Sequence, residues 1–324
     1  MNARLLPLTA TLVIFAAAYA LCILQFPAFG TTRVMGNLLT DNAFLGIAAV
    51  GMTFVIVSGG IDLSVGAVIA FVGVFLAVGI GRLGIPPALA FALALLVASL
   101  FGAAMGAVIH VFEIPPFIVT LAGMFLARGA SSVITTESVP IDAPLYARLN
   151  DVVVMLPGKG RLTLVAMVML AVFAAASLVA HRTRFGRNVY AIGGNRTSAE
   201  LMGIPVGTTT VLIYAFSGLC AGIAGIVFSL YTSAGYSLAA VGVELDTIAA
   251  VVIGGTLLTG GSGFVMGTFV GVLIQGMIQT YITFDGTLSS WWTKIVIGLL
   301  LFGFILLQRG LLALGGRGQA RTAH

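Results

Sequence analysis

Hydrophobic residues fall in long blocks along the whole chain, with little of the polar alternation that marks a half-buried strand. A helix needs about 20 apolar residues to cross the hydrocarbon core of a bilayer. Ten blocks of roughly this kind are predicted as spans, near residues 8–26, 42–59, 64–81, 88–110, 117–134, 162–181, 209–231, 245–259, 264–283 and 291–308. The second and eighth are the shortest and richest in glycine, so they are predicted to be broken or re-entrant. The pattern defines an all-α polytopic membrane protein with about ten transmembrane helices, in one transmembrane domain covering residues 1–324.

Two polar stretches interrupt the blocks. Residues 183–203, TRFGRNVYAIGGNRTSAELMG, gather Arg184, Arg187 and Arg196, with Arg182 beside them. A turn is predicted at Gly193, Gly194 and Asn195, followed by a short helix over 197–202. The other stretch, 135–163, carries Pro140, Pro144, Pro157 and a Gly158-Lys159-Gly160 turn, and reads as a structured cap. Basic loops favour the cytoplasmic side. With the N-terminus inside, Arg4, the arginines of 182–196, Arg309, Arg317 and Arg321 are all cytoplasmic, as are both termini. The cap and most of the acids (Glu137, Asp142, Asp151, Glu244, Asp246 and Asp285) then fall outside.

Composition narrows the class. Hydrophobic residues make up 60% of the chain and charged ones 8%, too few charges to cover a soluble surface. The net charge of +5 then reflects basic loops rather than nucleic-acid binding. The 42 glycines suit close helix packing in lipid, and the GxxxG pairs Gly102/Gly106, Gly218/Gly222 and Gly263/Gly267/Gly271 read first as packing surfaces. Cys22 and Cys220 lie in apolar runs and form no disulfide framework or metal-ligand spacing. The first block with Arg4 and Ala18-Tyr19-Ala20 imitates a signal peptide, but the spans downstream favour an uncleaved first helix. Leu21 is too large for a lipoprotein site at Cys22.

An internal echo relates the halves. Residues 48–66 align without gaps to 249–267 at a constant offset of 201, pairing Gly59-Gly60 with Gly260-Gly261. Apolar glycine-rich sequence matches itself easily, but two related helix pairs explain the match better, and transport paths gather at such repeat interfaces. The first repeat holds Asp62 in GGIDLSVG, which reads either as a helix cap or as an intramembrane acid for conduction or coupling. Arg128, inside the fifth block, should snorkel or pair. A relay through His110, Glu113 and Asp62 is conceivable but lacks a second carboxylate on a helix face. No catalytic triad, paired-carboxylate site or Walker-type phosphate loop is present, so no catalytic residue, metal or cofactor is predicted and the chain does not read as an enzyme.

At these residues the chain resembles a known family. VGMTFVIVSGGIDLSVG (50–66), HRTRFGRNVYAIGGN (181–195) and AVVIGGTLLTGG (250–261) are similar to permeases of bacterial ABC sugar importers of the ribose/xylose/galactose class, over about residues 5–310. Within that class TDNAFLGIAAVGMTF (40–54), LYTSAGY (230–236) and FDGTLSSWWTKI (284–295) look closest to a galactofuranose-importer permease. The resemblance implies an inner-membrane subunit that works by alternating access. Its partners would be a separate ATPase, a second and non-identical permease, and a periplasmic sugar-binding protein. It also implies that residues 182–208 couple to the ATPase through Phe185, Gly186, Arg187, Gly193, Gly194, Asn195, Ala199 and Gly203. Gly59, Gly60, Asp62, Gly260 and Gly261 are the expected path or framework residues, and the cap and loop 232–244 the expected docking surfaces for the binding protein. A proton-coupled secondary transporter is the rival reading.

Overall fold

The computed structural model describes residues 6–289 and 291–321; Arg4 lies outside them. Six helices are long and apolar enough to span a bilayer: α1 (Leu6–Gln25), α5 (Pro87–Val111), α6 (Pro116–Ile134), α8 (Leu164–Arg182), α11 (Val206–Thr232) and α13 (Val265–Asp285). A seventh span forms if α2 (Thr32–Asp41) and α3 (Ala43–Val57), bent by 56° at Asn42, count as one. α4 (Val65–Gly81) and the apolar part of α14 (Trp291–Arg321) are shorter. α12 (Val243–Ile253), in the eighth block, has 11 residues, too few to cross. Each predicted block holds a helix, but the spans that meet the length requirement number six or seven.

The helices sort by which faces are apolar. α3 buries Ala43 and every residue from Leu45 to Val57, so it has no solvent or lipid face. α1, α5, α6 and α8 each leave large side chains bare, among them Leu24, Leu96, Phe125 and Leu178, as a lipid belt requires. α11 is the mast beside α3, α4 and α5. It meets α5 through glycine. A Cβ on Gly102 would stand 2.1 Å from the Tyr214 carbonyl, and one on Gly218 would stand 2.2 Å from that of Ala98. The predicted GxxxG pairs at 102/106 and 218/222 therefore face each other.

The predicted cap is real and small. β2 (Val153–Leu156) pairs antiparallel with β3 (Gly160–Thr163), and β1 (Val139–Pro140) pairs with β4 (Ala234–Gly235) just after α11. Between β1 and β2, α7 (Pro144–Asn150) docks by a Tyr146–Ser229 hydroxyl pair at 3.0 Å. α2 leans on the hairpin so closely that a Cβ on Gly36 would meet the Arg161 carbonyl. This defines a cap end. At the opposite, basic end lie α9 (Arg184–Gly194) and α10 (Arg196–Leu201).

Two loops leave the helical pattern inside the protein. After β4, residues 236–242 run back down α4, and a Cβ on Gly66 would touch both the Ala240 carbonyl and Glu244. Arg128 turns inward and donates from Nη1 to the Ser237 and Ala239 carbonyls at 2.7 and 2.6 Å. Its cost of burial is offset by satisfying backbone that the bilayer interior leaves without water. The other loop, 58–64, returns from α3 to α4.

Adding bulk at the α5–α11 contact tests this architecture. Gly102→Val or Gly218→Val should lower thermal stability in detergent by about 1–3 kcal/mol, the usual cost of overpacking. Gly298→Ala, where an added Cβ meets nothing within 4 Å, should leave the melting temperature unchanged.

Candidate functional site

The basic segment is two capped helices. The Thr183 hydroxyl accepts from the Gly186 amide and starts α9; the Asn195 side chain accepts from the Ser198 amide at 2.8 Å and starts α10. Gly193 and Gly194, predicted as a turn, are the last turn of α9. Gly203, at φ +78°, ends α10 as a left-handed residue while its amide donates to the Glu200 carbonyl. Gly186 allows the sharp α8–α9 corner, since a Cβ there would meet the Ala180 carbonyl at 2.2 Å. Sequence reasoning missed α9 as a helix, although Phe185, Val189 and Ile192 already show the i, i+4, i+7 spacing of an amphipathic one.

α9 is fixed to both repeats. Phe185 stacks on Phe54 of α3 at 5.9 Å between centroids. The Tyr190 hydroxyl donates to the Gly263 carbonyl at 2.7 Å. Gly193 is wedged where the repeats meet: a Cβ would stand 1.8 Å from the Val57 carbonyl and 2.6 Å from the Gly261 amide. That amide donates to the Val57 carbonyl at 2.8 Å, tying the end of α3 to the turn before α13. The structure thus brings together Gly59, Gly193, Gly194, Gly260 and Gly261 in one junction of bare backbone. The end of α3 is echoed at the end of α12, though 196 residues on rather than 201: Gly59 and Gly255 have φ of +87° and +92° and their amides donate to Ile56 and Val252, as the Gly60 and Thr256 amides do to Val55 and Val251.

α10 faces outward, but not with every expected residue. Ala199 is fully buried against Ile192 and Val206, whereas Leu201 and Met202 are 86% and 70% exposed. The apolar knob left bare on α10 is therefore Leu201–Met202. Arg196 and Glu200 make an exposed i, i+4 pair, worth a few tenths of a kcal/mol, about 0.3–0.5.

Asp62 lies deeper than this junction and is well held. One carboxylate oxygen accepts from the Ser64 amide and hydroxyl at 2.9 and 2.6 Å, and the other accepts from the Ser217 hydroxyl of α11 at 2.7 Å. It closes the turn that leads into α4, whose N-cap is Ser64, and ties that turn to α11. Gly60 is close by, with room for a Cβ taken by the Tyr214 hydroxyl. The conceivable relay is not assembled. Glu113 is exposed, and the His110 ring lies against Gly207. From Gly207 to Ser217 is about 15 Å along α11 at 1.5 Å per residue.

A bundle of long lipid-facing helices, an internal repeat closed on glycine, and an exposed helix at one end together define a multi-pass membrane permease. A family model described as "Branched-chain amino acid transport system / permease component" matches residues 34–305, and the chain belongs to that family. It is 62% identical to the inner membrane ABC transporter permease protein YjfF of Escherichia coli K12 over 311 residues, 96% of this chain and 94% of that one. It is 38% identical to the fructose import permease protein FruG of Bifidobacterium longum over 325 residues (98% and 94%). It is 37% identical to the ribose import permease protein RbsC of E. coli K12 over 273 residues (83% and 84%). The resemblance to ribose/xylose/galactose-class permeases, read from residues 50–66, 181–195 and 250–261, is borne out by these relatives. No solved structure matches the chain.

Two substitutions separate the roles of neighbouring residues. Gly193→Ala should break the Val57–Gly261 junction, costing about 1–3 kcal/mol of stability by overpacking, whereas Gly194→Ala, with open space for its Cβ, should be neutral in a thermal melt. Asp62→Asn keeps an oxygen toward Ser64 and should fold and transport close to wild type. Asp62→Leu strands two buried hydroxyls and an amide, so membrane-inserted protein should fall sharply, at about 1–3 kcal/mol per orphaned group. If Asp62→Asn inserts normally but transports nothing, the carboxylate charge itself is required and the capping role is insufficient.

Proposed function

We propose that this chain is the membrane-spanning permease subunit of an ATP-driven sugar importer in a bacterial inner membrane, with both termini cytoplasmic. ATP is hydrolysed by a separate subunit that grips residues 182–208. A second, non-identical permease completes the path, and a periplasmic binding protein delivers the sugar to the cap end. The cargo of this reading is galactofuranose, resting on the likeness at 40–54, 230–236 and 284–295.

One observation carries the reading. α9 is hydrogen-bonded through Tyr190 to the turn before α13 and packed through Phe185 and Gly193 against the end of α3, while the adjoining α10 presents Leu201 and Met202 bare. A partner that takes this apolar knob into a groove and moves it displaces both repeats together. An exposed apolar pair beside Arg196 suits a helix-in-groove contact with a polar rim. Arginines that only enforced topology would need neither. The 62% identity to a protein named as an ABC transporter permease, and the fructose and ribose names of other relatives, support the sugar class. A different pentose or hexose is the alternative cargo.

Leu201→Asp with Met202→Asp tests the coupling. The doubly substituted chain should insert normally, yet co-purify poorly with the ATPase and lose at least about tenfold in uptake, since truncating interface anchors costs 2 kcal/mol or more, roughly. Uptake that survives this change but collapses with a proton uncoupler at constant ATP establishes the secondary-transporter reading instead.

A further inference from the structure

Beside the cap lies a cavity of about 1040 Å³ between α2, α3, α12, α13 and α14. Its size is at the upper end of small-molecule sites, which run to about 1,000 Å³. Its floor is Gln275, a residue 3% exposed. The Gln275 amide nitrogen donates to the Asp246 carbonyl at 3.0 Å, and its side-chain oxygen has no hydrogen-bond partner among the described residues. A buried amide oxygen left this way is costly unless something that enters the cavity donates to it.

The charges around it are already balanced. Lys294 of α14 reaches both carboxylate oxygens of Asp246 at 2.6 Å. Asp41 accepts from the Tyr231 hydroxyl at 3.1 Å, and Arg33 stands on the same wall. Two acids and two bases cancel, and the central pair is internally satisfied. A neutral solute rich in hydroxyls can enter without disturbing that pair, because hydroxyls both donate and accept. Trp291, 75% exposed, adds a flat apolar face at the rim, suited to the C–H side of a sugar ring.

We propose that this cavity is a binding station for a neutral polyhydroxylated solute, with Gln275 as the acceptor at its floor and Trp291 as the platform at its mouth. It rests on the sugar-import reading and gives that reading a place in the chain where the cargo is held after it leaves the binding protein.

The test uses the complete transporter in proteoliposomes, with labelled D-galactose, D-fructose and D-ribose, which all hold furanose forms in water, and L-leucine as the amino-acid probe. Gln275→Leu and Thr283→Trp, the latter filling the cavity from its rim, should lower sugar uptake at least about tenfold, the scale of an unmade buried hydrogen bond or a blocked site. Stimulation of ATP hydrolysis by the loaded binding protein should persist within about twofold, because docking and coupling are untouched. Trp291→Ala should lower uptake and Trp291→Phe restore it. The inference is overturned if correctly inserted Thr283→Trp imports sugar at the wild-type rate. It is overturned equally if ATPase stimulation falls in step with uptake, which marks a structural face or a seat for the second permease. If the wild-type complex imports leucine and no sugar, the sugar-import reading itself fails, and the station with it.

Discussion

A turn packed against other protein is tolerated only where its backbone groups find hydrogen-bond partners. Much of this fold follows from how that requirement is met at Val57, Gly193 and Gly261. There the Gly261 amide donates to the Val57 carbonyl, and Gly193 packs so closely that no side chain fits between. Contact between bare backbones leaves no slack: parting the surfaces leaves an amide and a carbonyl unpaired. Three segments far apart in sequence are thereby held together.

The rest of the bundle is packed closely around that point. α3 is buried on all sides, and the glycine faces of α5 and α11 bring their backbones into direct contact. Glycine at such positions costs helix propensity, about 1 kcal/mol each relative to alanine, and is offset by packing that larger residues would prevent. The second departure from helix, residues 236–242, needs a different solution because its carbonyls point into the interior. Arg128 supplies it. A guanidinium presents several donors in a fixed fork, and its Nη1 alone satisfies two of those carbonyls.

The apolar blocks made the helices legible, but not their lengths. α3 and α12 fall in the two short, glycine-rich blocks expected to be broken or re-entrant, but where each helix stops was not readable, because the turns that follow are as apolar as the helices before them. The junction was legible in pieces. Gly59-Gly60 and Gly260-Gly261 stood out by repetition, and Gly193-Gly194 by their place in a polar loop, yet no local signal says that the three meet. The helix α9 was hidden because its two terminal glycines read as a turn, although its buried face at Phe185, Val189 and Ile192 was regular. Loop 232–244 read as an outer surface because it is polar at its ends. Within it Gly235, Ser237 and Val243 are buried, while Thr232, Ser233, Tyr236, Leu238 and Val241 are exposed. Gln275 carried no signal at all, since a lone amide in an apolar helix is usually a satisfied one.

The repeat is most informative where its halves differ. Position 62 holds aspartate, and its counterpart 201 residues on is Gly263. Asp62 spends its carboxylate on Ser64 and Ser217, which binds the first repeat to α11. Gly263 has no side chain to anchor it, and its carbonyl instead takes the Tyr190 hydroxyl of α9. In the second repeat α12 and α13 pack through Gly254, Gly267 and Gly271. The two halves therefore differ in what holds them: a carboxylate bonded to α11 in the first, a backbone carbonyl bonded to α9 in the second.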